Sequence, residues 1–189
     1  PEAKAIKFSK LGTTFLVKRF DRDGQQRIHF SSAMTMLGKK DGANATDGSS
    51  YLEIVSFLKA NGAKPRDDVQ ELWKRIVFSM AVSNTDDHFR NHGFILSNDG
   101  WELSPLYDVN PDIYGEYLSL NVDEYDSGID FDLAIESAPY YGLKKNQAKK
   151  EIDMIKSVVR NNWRELAKKN GISRGEIERM EPAFHICEE

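Results

Sequence analysis

A chain of 189 residues with 40% hydrophobic and 30% charged side chains has the balance of a globular domain and enough material for one sizeable core, so neither a disordered tail nor a pair of small domains is expected. A formal net charge of -4 and a pI near 5.7 lack the basic excess that phosphate-backbone binding requires, which argues against nucleic acid as a direct partner. No apolar run approaches bilayer length and the single cysteine, Cys187, permits no internal disulfide, so a cytoplasmic protein with no membrane partner is expected.

In chain order, Lys4 to Phe8 and Thr13 to Phe20 predict two short strands joined through Ser9-Lys10-Leu11-Gly12. Alternation in the second puts Phe15, Val17 and Arg19 on one face and Leu16, Lys18 and Phe20 on the other. Asp21-Arg22-Asp23-Gly24 reads as a turn. Gly38 to Ser49, polar and glycine-containing, reads as the least ordered segment, where mobility is expected. Ser50 and Glu53 have capping-box spacing, and Tyr51, Ile54, Val55 and Leu58 follow at helical intervals up to the Asn61-Gly62 stop.

Asp68 with Glu71 is read as the opening of a second helix, whose apolar face of Val69, Leu72, Trp73, Ile76, Val77, Met80 and Ala81 is wide enough to make it central and buried. Gly93 to Ser97 and Trp101 to Ser104 predict strands around an Asn98-Asp99-Gly100 hairpin turn, and Pro105 and Pro111 keep the next segment extended or turned. Lys144 to Lys169 predicts a long helix with Ile152, Ile155, Val159, Trp163 and Leu166 on one face and Asn170-Gly171 as its stop. Ser173 and Glu176 cap a last helix through Ile177, Met180 and Phe184. A few strands followed by helices is an α+β pattern, mainly α.

The chemistry concentrates between residues 83 and 111. Asp86 and Asn91 lie on the loop after the apolar helix, Asp108 lies just past the second hairpin strand, and antiparallel pairing brings the outer ends of two such strands together. One carboxylate to orient a hydroxyl and take its proton, with an amide and a second carboxylate to hold magnesium, suits phosphoryl transfer from a nucleotide. The order Asp-x4-Asn, hairpin, Asp is that of protein-kinase catalytic loops.

Plainer readings stand beside this one. All three residues are common turn-formers. Asp87 reads as a solvated or capping carboxylate, since Asp86 has the right distance to Asn91. His88 and His92 have the H-x3-H interval of zinc sites but lack the adjoining glutamate and a third ligand. His29 and His185 read as ordinary polar residues, and Trp73 and Trp163 as core. Phe20, an aromatic at a strand end, also reads as core, a role compatible with touching a ligand. The run Asp123, Glu124, Asp126, Asp130 and Asp132 reads as a solvated acidic loop or, more sharply, as a surface for a basic protein.

Asn84-Thr85-Asp86-Asp87-His88-Phe89-Arg90-Asn91 followed by Ser104-Pro105-Leu106-Tyr107-Asp108 resembles the catalytic loop and metal motif of the HipA-like serine/threonine kinases, the toxins of bacterial toxin-antitoxin pairs. Residues Phe15 to Arg22 are similar to that family's hinge strand, which contacts adenine and ribose. Tyr140-Tyr141-Gly142-Leu143 and Asn170-Gly171-Ile172-Ser173 resemble its helical end. The resemblance implies a protein-kinase-like C-terminal lobe, with hinge strands over 1–24 and a helical lobe over 25–189.

It also implies ATP and Mg2+ as cofactors, Asp86 as catalytic base, and Asn91 and Asp108 as magnesium ligands. His88, Phe89, Arg90, Asn91 and Tyr107 would line the phosphate side, and Lys18, Arg19, Phe20 and Asp21 the hinge, with Lys18 where the family often has Glu. The implied reaction is phosphorylation of a serine or threonine on a protein substrate, a translation component such as an aminoacyl-tRNA synthetase. The implied partner is a helix-turn-helix antitoxin, through which alone DNA would be approached. Such a kinase also needs a phosphate-covering loop and a lysine for the phosphates, and Pro1 to Thr14 holds no glycine-rich loop. With Pro1 in place of a starting methionine, the chain is therefore expected to be a lobe cut from a longer protein or completed by a separate one. The rival expectations are a non-catalytic lobe that docks an antitoxin or an N-terminal lobe, and a small-molecule kinase.

Overall fold

The structure is a computed structural model that describes residues 2–9 and 12–188. The two predicted strands are present: β1 (Ala3–Ser9) and β2 (Gly12–Val17) form an antiparallel ribbon in which Ala5 pairs with Phe15. The Lys10-Leu11 part of the expected connection lies outside the described residues. The second strand stops at Val17 rather than Phe20. Lys18 still donates its N–H to the Glu2 carbonyl at 2.8 Å, but the Arg19 guanidinium then folds onto Asp21 and the chain turns away from the ladder. A second tight hairpin follows, β3 (Arg22–Asp23) and β4 (Gln26–Arg27), with Gly24 at φ 57 where a side chain is disfavoured.

Around the centre run β5 (Phe30–Ser32), α1 (Ala33–Met36), α2 (Tyr51–Asn61), α3 (Pro65–Ala81), β6 (Gly93–Ser97) and β7 (Gly100–Leu103). The strands form one antiparallel sheet in the order β5-β6-β7, pairing Ser32 with Gly93 and Phe94 with Leu103. The Ser50/Glu53 capping box opens α2 as expected. Helix α3, however, begins at Pro65 rather than at Asp68. Proline at the first helical position has no N–H to leave unpaired and a backbone angle already set for helix. Asp68 instead accepts the Leu103 N–H at 3.1 Å, which ties α3 to β7. The predicted apolar face of α3 is buried, with Leu72, Trp73, Ile76, Val77, Met80 and Ala81 all at 0% exposure.

The second half is helical: α4 (Phe131–Ser137), α5 (Lys145–Lys169) and α6 (Arg174–Met180), closed by a 3-10 turn at Glu181–Cys187. Trp163 of α5 stacks on Phe184 of that turn at 4.2 Å, whereas Leu166, one turn further along, stays exposed. Two expected loops are more structured than their composition indicates. In the segment 38–49, Asn44 and Asp47 cap each other's backbone around a 3-10 turn, and the Ala45 N–H is held by the Ser119 carbonyl at 2.7 Å. In the acidic run, Asp130 caps α4 through the Asp132 N–H, while Asp123 and Asp126 accept backbone N–H groups of the turns that follow them. These carboxylates are local backbone acceptors, which is why they cluster in sequence. Among the described residues, no helix is long and apolar enough to cross a membrane.

Candidate active site

Helix α3 ends at Ala81, and Ser83 at φ 49 throws the chain into an irregular loop that runs to His92. Among the described residues, the non-glycine residues with left-handed backbone are Ser83 and Asp108, one at the head of this loop and one in the segment after β7. Such a conformation is unfavourable by about 1–2 kcal/mol per residue and persists only where the surroundings impose it.

The surroundings are visible. Segment 104–112 is fastened across the loop along its length. The Tyr107 hydroxyl donates to the Arg90 carbonyl at 2.7 Å, the Asn110 N–H to Asn84 Oδ1 at 3.2 Å, the Asp112 N–H to the Ser83 carbonyl at 3.0 Å, and the Thr85 hydroxyl to Asp112 Oδ2 at 2.9 Å. From beneath, buried Arg75 of α3 donates to the Ser104 carbonyl at 2.7 Å. The Tyr107–Arg90 bond therefore ties together the residues that immediately precede Asp108 and Asn91.

Asp86 presents an exposed side chain (76%), with His88 Nε2 3.6 Å from its Oδ1. Its backbone carbonyl accepts both the His88 N–H at 3.0 Å and the Asn91 side-chain N–H at 2.7 Å. That bond engages the nitrogen of the Asn91 amide and leaves the oxygen as the atom it can offer a cation. Asp108 is exposed and takes an N–H from Asn110 at 3.1 Å. Arg90 pairs with Asp41, and its other nitrogen approaches His88 Nε2 at 3.2 Å; these residues with Asn44 and Ser119 line a groove of about 330 Å3 beside the loop.

On the other flank, the rings of Phe20, Phe30 and Tyr107 meet at centroid distances of 5.6, 5.9 and 6.1 Å, so the segment expected as a hinge touches the loop assembly through Phe20. Gly93 is required beneath them, since a Cβ there would lie 2.3 Å from the Phe30 ring and 3.2 Å from the Tyr107 oxygen. Burial, helped by the charges of Asp108 and Asp87, pushes the Tyr107 hydroxyl up to about 12, so it remains a donor at neutral pH. Lys18 and Arg19 are exposed, and Arg19 grips Asp21 with two bonds of 2.8 and 2.6 Å. The bond from Arg19 holds the Asp21 carboxyl down at about 2.

Two expectations fail here. Phe89 cannot line a phosphate side with its ring, which is fully buried in the core under Lys39. Asp87 is no solvated carboxylate: at 2% exposure it accepts the hydroxyls of Tyr51 and Ser79, 36 and 8 positions away, and lies 3.0 Å from His92 Nε2. Asn84 and Asn110, which clamp the two segments together, likewise carry no signal beyond their turn chemistry. The zinc reading also loses its geometry, because His88 faces Asp86 while His92 faces Asp87, and the described residues contain no group of three or more His, Cys, Asp or Glu placed to hold a metal. Magnesium makes a different demand. It takes hard oxygen ligands from one or two side chains and completes its shell with phosphate oxygens and water. The Asp108 carboxylate and the Asn91 amide oxygen fit that donor set.

The family model described as the HipA-like C-terminal domain matches residues 1–163. A protein of Haemophilus influenzae named "Putative kinase" is 34% identical over 101 residues, 50% of this chain and 29% of that protein. The serine/threonine-protein kinase toxin HipA of Shewanella oneidensis is 32% identical over 130 residues, 57% of this chain and 30% of that protein. A solved chain from the complex of the Shewanella oneidensis MR-1 toxin-antitoxin system HipA, HipB and its operator DNA superposes with a TM-score of 0.81 over 99% of this chain and 50% of its own, at 19% identity, which is a shared fold. The chain thus spans half of that solved chain, and its matches cover less than a third of these curated relatives.

Proposed function

The chain belongs to the HipA-like C-terminal domain family, and from that premise we propose that it is the catalytic lobe of a serine/threonine protein kinase that uses ATP and magnesium. The observation that supports the reading is the Tyr107 hydroxyl bond to the Arg90 carbonyl, which ties the residue before Asp108 to the residue before Asn91, with exposed Asp86 on the same loop. Asp86 orients the acceptor hydroxyl and accepts its proton. Asn91 and Asp108 supply the oxygens for the metal, and His88 and Arg90 line the phosphate side. A magnesium ion held there would supply positive charge against the phosphates. Chain segment 18–21 forms the hinge, where adenine recognition runs through backbone groups and Phe20 couples the hinge to the loop through Tyr107.

The substrate proposed is a protein hydroxyl on a translation component, such as an aminoacyl-tRNA synthetase. The proposed restraint is a DNA-binding antitoxin, in line with the solved neighbour's complex of HipA, HipB and operator DNA. The complete gene product, incubated with magnesium, γ-labelled ATP, a cell lysate and a panel of small hydroxyl compounds, is expected to label protein. Asp86→Asn should cut labelling by about 100-fold or more while magnesium-dependent nucleotide binding persists. Labelling by Asp86→Asn at the wild-type rate would overturn the assignment of the base. Label confined to the small compounds would make the protein a small-molecule kinase, and nucleotide binding without transfer a docking lobe.

A further inference from the structure

Beneath Asp86 lies a polar cluster that the transfer chemistry does not use. The Asp87 carboxylate receives the Tyr51 hydroxyl of α2 at 2.9 Å and the Ser79 hydroxyl of α3 at 3.1 Å, both on Oδ2, and His92 Nε2 lies 3.0 Å from Oδ1. Tyr51, Ser79, Asp87 and His92 are each at most 2% exposed. The His92 nitrogen is off the line of a straight hydrogen bond, and the ring stands edge-on to Tyr51 at 5.4 Å. Burial alone would raise the Asp87 carboxyl, but His92 and the two hydroxyls outweigh it and hold the group below the ordinary carboxylate range.

Keeping a charge in a core is costly, and apolar residues of like volume often stabilise as well or better, so stability is a weak reason for the cluster. Its effect on the backbone is specific. The Tyr51 hydroxyl reaches the Asp87 carbonyl as well, at 3.3 Å, while the Asp86 carbonyl is held by the His88 and Asn91 donors. The Asp86 carbonyl is therefore held directly, and the Asp87 carbonyl lies against the same hydroxyl that anchors its carboxylate, which together constrain the direction in which the Asp86 side chain leaves the chain. The cluster also continues outward: Ser79 Oγ takes an N–H from Asn84 at 3.3 Å, and Asn84 is the residue that holds Asn110 in the metal-ligand segment.

We propose that Asp87 is a positioning residue for the transfer reaction: anchored from α2, α3 and His92, it holds the turn that aims the Asp86 carboxylate at the acceptor. The inference rests on the kinase reading of Asp86. Asp87 is too buried to touch substrate, so its loss should appear in kcat and not in nucleotide affinity.

In the complete gene product, Asp87→Asn keeps the volume and removes the charge that gathers the donors. It should lower kcat by about 10- to 100-fold, the scale of a small misplacement of a reacting group, with KM for ATP and magnesium-dependent nucleotide affinity within about 3-fold of wild type. Rates are expressed per nucleotide-binding site, so that unfolded protein does not count. Tyr51→Phe and Ser79→Ala, which each remove one hydroxyl and leave the charge, should show smaller kcat losses of the same kind, and they decide the matter if Asp87→Asn does not fold. A kcat per binding site within about 2-fold of wild type in Asp87→Asn, or in both hydroxyl variants where that one is unfolded, overturns the positioning role. Failure of the underlying reading looks different: wild-type protein that transfers no phosphoryl group, or Asp86→Asn at full rate, removes the kinase assignment regardless of Asp87.

Discussion

The loop at 83–92 and the ribbon of β1 and β2 are opposites in how they are held. The loop has no regular ladder, yet Ser83, Asn84, Asp87, Phe89, Asn91 and His92 are all buried. The ribbon has a regular antiparallel register from Ala3 to Lys7 that shifts before Ser9, yet Ile6, Phe15, Leu16 and Val17 stand exposed. Regular hydrogen bonding and firm anchoring are thus separate properties. A lone two-stranded ribbon is marginal in water, whereas a loop tied by side chains from α2, α3 and segment 104–112 inherits the stability of the core beneath it. On the kinase reading, the division is apt: phosphoryl transfer needs its base and metal ligands set in advance, while the hinge follows directly on the ribbon.

The contrast is broken most forcefully from below. Trp73 fills the core under the loop at 0% exposure and donates its indole N–H to the Ala134 carbonyl at 3.0 Å. Trp73→Ala should lower unfolding free energy by about 3–5 kcal/mol in urea titration, through lost burial and the cavity left behind. A loss under about 1 kcal/mol would mean that the loop does not draw its firmness from this core.

Next in size is Gly93→Ala. The new methyl would collide with the Phe30 ring, and that ring is wall to both Phe20 and Tyr107. Overpacking of this kind should cost about 1–3 kcal/mol by the same titration. It should also weaken nucleotide binding, because the displaced aromatic cluster joins hinge to loop. Tyr107→Phe is gentler: it removes the hydroxyl bond to the Arg90 carbonyl and keeps the ring, for an expected loss of about 1 kcal/mol. If the bond does set Asn91 beside Asp108, the magnesium concentration for half-maximal activity should rise in this variant, while the thermal midpoint moves by only a few degrees.

Much of this organisation is legible in the sequence, and the failures share a cause. The capping boxes at Ser50/Glu53 and Ser173/Glu176 and the Asn98-Asp99 turn are local signals and appear where read. So does the buried face of α3, which repeats at helical period. Strand β5 and helices α1 and α4 are too short to show a period at all. The spacing of Asp86, Asn91 and Asp108 could be read along the chain, but the bonds that clamp their segments could not, since Asn84 and Asn110 resemble any turn residues. The adjacent aspartates are the sharpest case. Nothing local separates exposed Asp86 from buried Asp87, because Tyr51 and Ser79, which decide it, are 36 and 8 positions away. A usable hint existed in those two residues, polar-tipped groups on buried helix faces that must find a partner. Phe89 carried another: a large aromatic inside a polar run is an anchor into the core.

The smallest expected effect tests the other half of the contrast. Phe15 on β2 is 68% exposed, so truncating it removes little burial. A Phe15→Ala variant of this chain should therefore unfold within about 0.5 kcal/mol of wild type, as surface substitutions do. The ribbon would then be locally built and energetically detached, unlike the loop. A loss of more than about 2 kcal/mol, the scale of a buried aromatic, would instead show that Phe15 is covered in solution, and the ribbon would join the loop as a supported element. The same variant in the complete gene product sharpens the point, because a penalty there and not in this chain alone would assign the cover to residues beyond it.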